Sequence, residues 1–143
     1  MQTIRRIGIT EAETLLAGAR ARAAEIGIPM CIAIVDESGT LSLFVRDDGA
    51  KPTSVSIAID KAFTAAGARN ATAFYGEHSQ PGGPTWGIDK TNGGRFNVIP
   101  GGQPILEDGI VVGGIGISGG NAAQDDDVAL AAIAHLETTQ VTA

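Results

Sequence analysis

The chain is poor in most of the residues from which specialised sites are built. Its 143 residues include one cysteine, Cys31, and two histidines, His78 and His135. A single cysteine has no intrachain partner, which excludes a disulfide framework and a cysteine-built zinc site and makes a cytoplasmic location the expectation. The histidines do not stand at metal-ligand spacing, and neither a nucleophile elbow nor a P-loop occurs. Aromatic residues make up only 4%. No apolar run approaches the roughly 18 residues of a membrane span, and no signal-type apolar stretch follows Met1-Gln2-Thr3-Ile4-Arg5-Arg6, so export is not expected. Basic charge is scarce too: 10 Lys and Arg against 16 Asp and Glu give a net charge of −6. That balance repels phosphate backbones and anionic lipid, so neither nucleic acid nor a membrane is an expected partner.

Glycine is abundant instead, with 20 residues, about twice its usual ~7% share. The length fits one domain over residues 1–143. Thr10 and Glu13 form a capping-box pair that predicts a helix over Thr10 to Ile26, stopped by Gly27 and Pro29. Met30 to Val35 reads as a strand covered on both faces, Asp36 to Gly39 as a turn, and Leu41 to Arg46 as its antiparallel partner. Val55, Ala58, Ile59, Ala62, Phe63 and Ala66 make one stripe of a second helix. Asn70 can cap a short third helix ending near Tyr75. A long loop from Gly76 to Gly102 follows, a length that is usually functional or disordered. Gln103 to Leu106 and Ile110 to Ile117 form a second hairpin, and Asn121 can cap a last helix whose first turns carry Asp125, Asp126 and Asp127. Two hairpins require antiparallel pairing, which predicts an α+β domain with helices on the faces of an antiparallel sheet.

Several residues are candidates for chemistry. Gly114-Ile115-Gly116-Ile117-Ser118-Gly119 spells G-x-G-x-x-G, but no second parallel strand follows, so a dinucleotide site is rejected. Gly114 and Gly116 share a strand face, leaving either a groove for a ligand or a seat for a packed helix. Lys61 and Thr64 share a face of the second helix. Lys61 is either a lysine snorkelling from the edge of the buried stripe or the counter-charge for a ligand carboxylate. Arg46 ends a strand beside an acidic turn, where it can pair with an acid or hold an anion. His78 stands in the long loop near Tyr75, Glu77 and Trp86, a group able to ligate iron, stack on a ring or move a proton. The three aspartates lack the alternation of a calcium loop and read as capping charge.

Taken in order, Ile28-Pro29, Ile34-Val35-Asp36-Glu37-Ser38-Gly39, Leu43-Phe44-Val45-Arg46-Asp47-Asp48-Gly49-Ala50 and Ile57 to Ala65 resemble the GlcG/HbpS-like haem-binding family. Pro100-Gly101-Gly102-Gln103-Pro104-Ile105 and Gly109 to Gly119 complete the likeness, which covers roughly residues 9 to 138. The family is similar to the C-terminal domain of PduO-type corrinoid adenosyltransferases. The resemblance implies a profilin-like, three-layer α/β/α domain with a five-stranded antiparallel sheet, and self-association to a dimer or octamer. It also implies haem or a related tetrapyrrole as ligand, and places Lys61 and Thr64 beside Gly101 and Gly102 at a pocket. Read from the loop's own residues and not from the resemblance, His78 or Tyr75 is the expected iron ligand, with Gly114 and Gly116 at the pocket floor. The alternative is a cofactor-free catabolic enzyme for a small oxygenated or cyclic metabolite. In it, Lys61 or Arg46 would hold an anionic group while His78, Glu77 or Tyr75 moves a proton.

Overall fold

The structure, a computed structural model, describes residues 1–142 and the side chains of residues 1–140. Its first helix, α1 (Ile9–Ile26), starts earlier than the capping pair predicts, because the Glu11 carboxylate accepts the Gly8 N–H at 2.8 Å. Glu13 plays no part in that cap: the same spacing, read two residues upstream, supplies it. Gly27, at φ 80°, ends the helix in the left-handed conformation that glycine adopts without penalty.

Strands β1 (Cys31–Asp36) and β2 (Leu41–Arg46) form the first hairpin, and β3 (Gly102–Glu107) and β4 (Ile110–Ser118) the second. Between them lie α2 (Ser54–Ala68) and α3 (Thr72–His78), and α4 (Ala122–Thr142) closes the described chain. β1 and β4 pair antiparallel, so the sheet runs β2-β1-β4-β3. Four strands are present among the described residues, not the five implied by resemblance. Beyond the Asp36–Gly113 pair, where β1 ends, the N-terminal segment supplies only the Ile7 N–H to the Val112 carbonyl. One such bond does not make a strand.

The two faces of the sheet carry different side chains. Ile32, Ile34, Ile115 and Ile117 pack against Ala12, Leu15 and Ala19 of α1 and Val128 and Ala132 of α4. On the other face Ala33 and Val35 meet Ala58, Ala62 and Ala66 of α2. The result is three layers, helix pair, sheet, helix, with the small-residue face letting α2 approach the sheet closely.

α4 opens with a reciprocal cap: Asn121 Oδ1 accepts from the Gln124 N–H at 2.9 Å, and Gln124 Oε1 accepts from the Asn121 N–H at 3.0 Å. Its aspartates point three ways. Asp125 is buried against Lys61, Asp126 accepts from Gln103, and Asp127 pairs with Arg22 of α1. The run is therefore a set of ties between layers as well as charge favoured by the helix N-terminus.

Candidate functional site

The sequence concentrates chemistry in two places, and the structure treats them differently. The first lies where α2 crosses the sheet. Ala58, Lys61, Ala62 and Ala65 fall three or four apart, so Lys61 faces inward with the alanines and is 1% exposed. Its Nζ donates to the Ile117 carbonyl at 2.8 Å and to Asp125 Oδ2 at 3.0 Å. Asp125 also accepts the Gly120 N–H at 2.8 Å. Burial pulls the pKa of Lys61 down and pushes that of Asp125 up, each opposed by the partner's charge. Lys61 is thus neither a snorkelling surface lysine nor a free counter-charge.

The glycines around it are occupied by protein. A Cβ at Gly101 would lie 2.9 Å from Lys61 Nζ, and one at Gly102 would lie 2.5 Å from the Lys61 carbonyl oxygen. Gly114 faces the Ala62 carbonyl and Ala66, and Gly116 faces the Ala58 carbonyl well inside van der Waals contact. The bare strand face anticipated as a pocket floor is the seat of α2. The structure does bring Lys61, Gly101 and Gly102 together, but in closed packing. Thr64 is likewise buried, donating to the Asp60 and Arg95 carbonyls and accepting the Asn97 N–H at 2.9 Å.

The second place is open. α3 runs to His78, so this histidine ends a helix instead of standing in the loop. Its Nδ1 lies 2.7 Å from the Phe74 carbonyl one turn back, and its ring stacks on Phe74 with centroids 4.1 Å apart. Tyr75 meets Phe74 edge-on at 5.2 Å and Phe96 edge-on at 4.9 Å. Phe96 in turn lines a cleft of about 160 Å³ with Phe63, Thr64, Gly67, Ala68 and Asn92. Arg95, paired with Asp60, lies 3.9 Å over the Phe63 ring.

The turn after α3 folds back onto His78. Its carbonyl accepts the Thr85 N–H at 3.0 Å, and Gly83 sits so close to that carbonyl that no side chain fits there. The turn presents Trp86, which is 63% exposed. Thr85 Oγ1 is the one buried side-chain polar atom among the described residues that has no hydrogen-bond partner. An orphaned hydroxyl of this kind costs about 1–3 kcal/mol, so the turn holds a donor that nothing in the protomer uses.

Arg46 and Glu77 do not join this surface as a catalytic set. Arg46 Nε donates to the Ala50 carbonyl at 3.1 Å and closes its own turn. It lies on β2, at the opposite sheet edge from β3, against which α3 packs. With Lys61 bonded internally and Arg46 across the sheet, no anion-holding cation from the expected pair stands beside His78. Glu77 is exposed on α3. Asp36 makes a turn, accepting the Ser38 and Thr40 N–H groups. His135 is exposed on α4, its Cβ lying against Gly18 of α1. Among the described residues no group of three or more His, Cys, Asp and Glu could hold a metal ion. No described helix is long and apolar enough to cross a membrane.

Three participants were not anticipated. Asp125 as the partner of Lys61 has a signal, since it stands three and four residues before the buried Val128 and Ala129. Phe74 and Phe96 have none beyond being two of four phenylalanines.

Residues 7–134 match the family model described as haem degrading protein HbpS-like. The chain is 36% identical over 124 residues to an uncharacterised 15.0 kDa protein of the dhaT-dhaS intergenic region of Citrobacter freundii, covering 87% of each. It is 37% identical over 115 residues to the corrinoid adenosyltransferase PduO of Salmonella typhimurium, covering 80% of this chain but 34% of that protein. A crystal structure of a PduOC:haem complex superposes with a TM-score of 0.88 at 34% identity, covering 91% of this chain and 94% of that one.

Proposed function

The chain belongs to the HbpS-like family, and we propose that it is a cytoplasmic, homo-oligomeric binding protein for haem or a related tetrapyrrole, accessory to a catabolic pathway. The ligand lies on the aromatic surface of α3 and the following turn, with His78 toward the iron. The state of His78 carries this reading. A carbonyl oxygen can only accept, so the Phe74 contact is made by an Nδ1–H, and the neutral tautomer that makes it carries its lone pair on Nε2. Metal-bound imidazoles commonly donate their second nitrogen to a carbonyl in this way, which fixes the ring and raises its basicity. The donor set therefore fits haem iron.

Bound haem supplies an iron centre and a redox-active macrocycle. The chain's own residues orient it: Phe74 backs the imidazole, Tyr75 and Phe96 extend the apolar surface, and Trp86 offers a flat indole. The cleft of about 160 Å³ is smaller than the ~300–1,000 Å³ typical of enclosed ligand sites. One protomer therefore gives one wall, and a second copy supplies the other, which is the role assigned to self-association. The relatives support the ligand class, since one solved relative is a haem complex and PduO handles a corrinoid, another ring built from four pyrrole units. The three layers support a profilin-like assignment.

Hemin titration followed at the Soret band tests the reading. The expected result is a saturable shift, lost in His78→Ala and weakened in Tyr75→Phe. The absence of a saturable shift, or a shift unchanged in both variants, removes the assignment.

A further inference from the structure

We propose a second binding site, distinct from the His78 surface: the groove between the N-terminal segment and the β3–β4 hairpin takes an apolar monocarboxylate whose anionic end is held by Arg69.

The groove encloses about 550 Å³ and is lined by Ile4, Leu106, Ile110 and Val111 with Arg5 and Arg69. Ile4, Leu106 and Ile110 are 63%, 55% and 49% exposed. Single exposed apolar side chains need no explanation, but three lining one groove mark a surface that something apolar covers.

Charge identifies the other half of the ligand. Six of the chain's seven arginines have a polar partner: Arg5, Arg6, Arg20, Arg22 and Arg95 pair with carboxylates, and Arg46 bonds a carbonyl. The Arg69 side chain has none among the described residues. This is notable in a chain with six more acids than bases. The groove's other charges are already matched, Arg5 with Glu107 and Asp108, and Glu37 with Arg6. One positive charge therefore remains beside an apolar floor. Arg69 also stands at φ 57°, capping α2 in a left-handed conformation that glycine or asparagine takes more readily. Backbone geometry thus gives no reason for arginine at this position, whereas a planar guanidinium that can grip both carboxylate oxygens does.

Calorimetric titration of the full chain with decanoate, and with decanol as its uncharged counterpart, tests the site. Decanoate is expected to bind saturably at pH 7. Arg69→Asn, which keeps the left-handed turn, is expected to weaken it roughly ten- to hundredfold, the loss of a charge-assisted hydrogen bond. Decanol is expected to bind more weakly and equally in both proteins, and His78→Ala to leave decanoate binding unchanged. Equal decanoate affinity in wild type and Arg69→Asn overturns the proposal. So does absence of decanoate binding together with an oligomer that Ile110→Lys breaks apart, since a second copy then covers the groove. Displacement of decanoate by hemin, with loss of the Soret shift in Arg69→Asn, assigns the groove to haem and equally overturns it.

Discussion

The crossing of α2 over the sheet and the surface around His78 both carry chemically capable residues, yet only the second leaves some of them unpartnered within the protomer. At the crossing, Lys61, Asp125, the Ile117 carbonyl and the Gly120 N–H satisfy one another, and Ala58, Ala62 and Ala66 fill the space left by Gly114 and Gly116. At His78, an imidazole nitrogen, a buried hydroxyl at Thr85 and a largely exposed indole at Trp86 are left without partners in the protomer. Residue type is therefore a poor guide to a site. What distinguishes a site is polar capacity that the fold leaves unused.

If the crossing is purely structural, it should fail in stability assays and nowhere else. The largest effect is expected for Lys61→Met, which strands the buried Asp125 carboxylate and should cost about 3–5 kcal/mol in urea unfolding at neutral pH. Adding Asp125→Asn, which retains an acceptor for Gly120, should recover at least about 1 kcal/mol, because both charges are then gone. A cost that stays the same in the double variant would mean that the pair does not interact.

Gly116→Ala should follow at about 3 kcal/mol, since the new methyl meets the backbone of α2, which cannot move aside as a side chain can. Gly67→Ala is the matched control on the same helix. Nothing lies within 4 Å of its Cβ position and its φ is ordinary, so the substitution should stabilise by about 0.5–1 kcal/mol in the same assay. If both glycines respond alike, close packing of α2 is not what Gly116 serves.

The smallest effect belongs to the surface tie between Arg6 and Glu37, bonded at 2.6 and 2.7 Å. The Arg6 guanidinium holds the Glu37 carboxyl at about 2, below its ordinary 4.5. A folded value below the unfolded one gives stability that is present above pH 4.5 and lost as pH falls toward 2. Because Arg6 is largely exposed, solvent screening keeps this contribution small. Melting curves across that window should therefore slope slightly more in wild type than in Glu37→Gln.

The element order and most boundaries were legible in the sequence because they rest on local periodicity: β2 matches Leu41 to Arg46, and the α2 stripe is the one that packs. The start of α1 was misplaced because Gly8 with Glu11 and Thr10 with Glu13 offer the same spacing, and only the observed bond chooses between them. The strand count came from resemblance and was one too high, since the N-terminal segment contributes a single backbone bond. The site was less legible. Lys61 and Asp125 lie 64 positions apart; the first reads in the sequence as a lysine at the edge of the apolar stripe and the second as capping charge, so neither their burial nor their pairing was legible from those readings. The match of Gly114 and Gly116 with three alanines on α2 was present as a pairing of small faces. The aromatic chain from Phe96 to His78 had no such trace, because loop geometry brings Phe96 to α3 and no period records it.

Whether His78 holds haem iron is decided by hemin titration of wild type and His78→Ala, with melting curves of both proteins free of haem. A saturable Soret shift is expected in wild type, with its loss in His78→Ala and melting temperatures that agree within about 2 °C, as for a substitution that removes no core contact. A His78→Ala protein that keeps the wild-type Soret shift and affinity would contradict that role for His78.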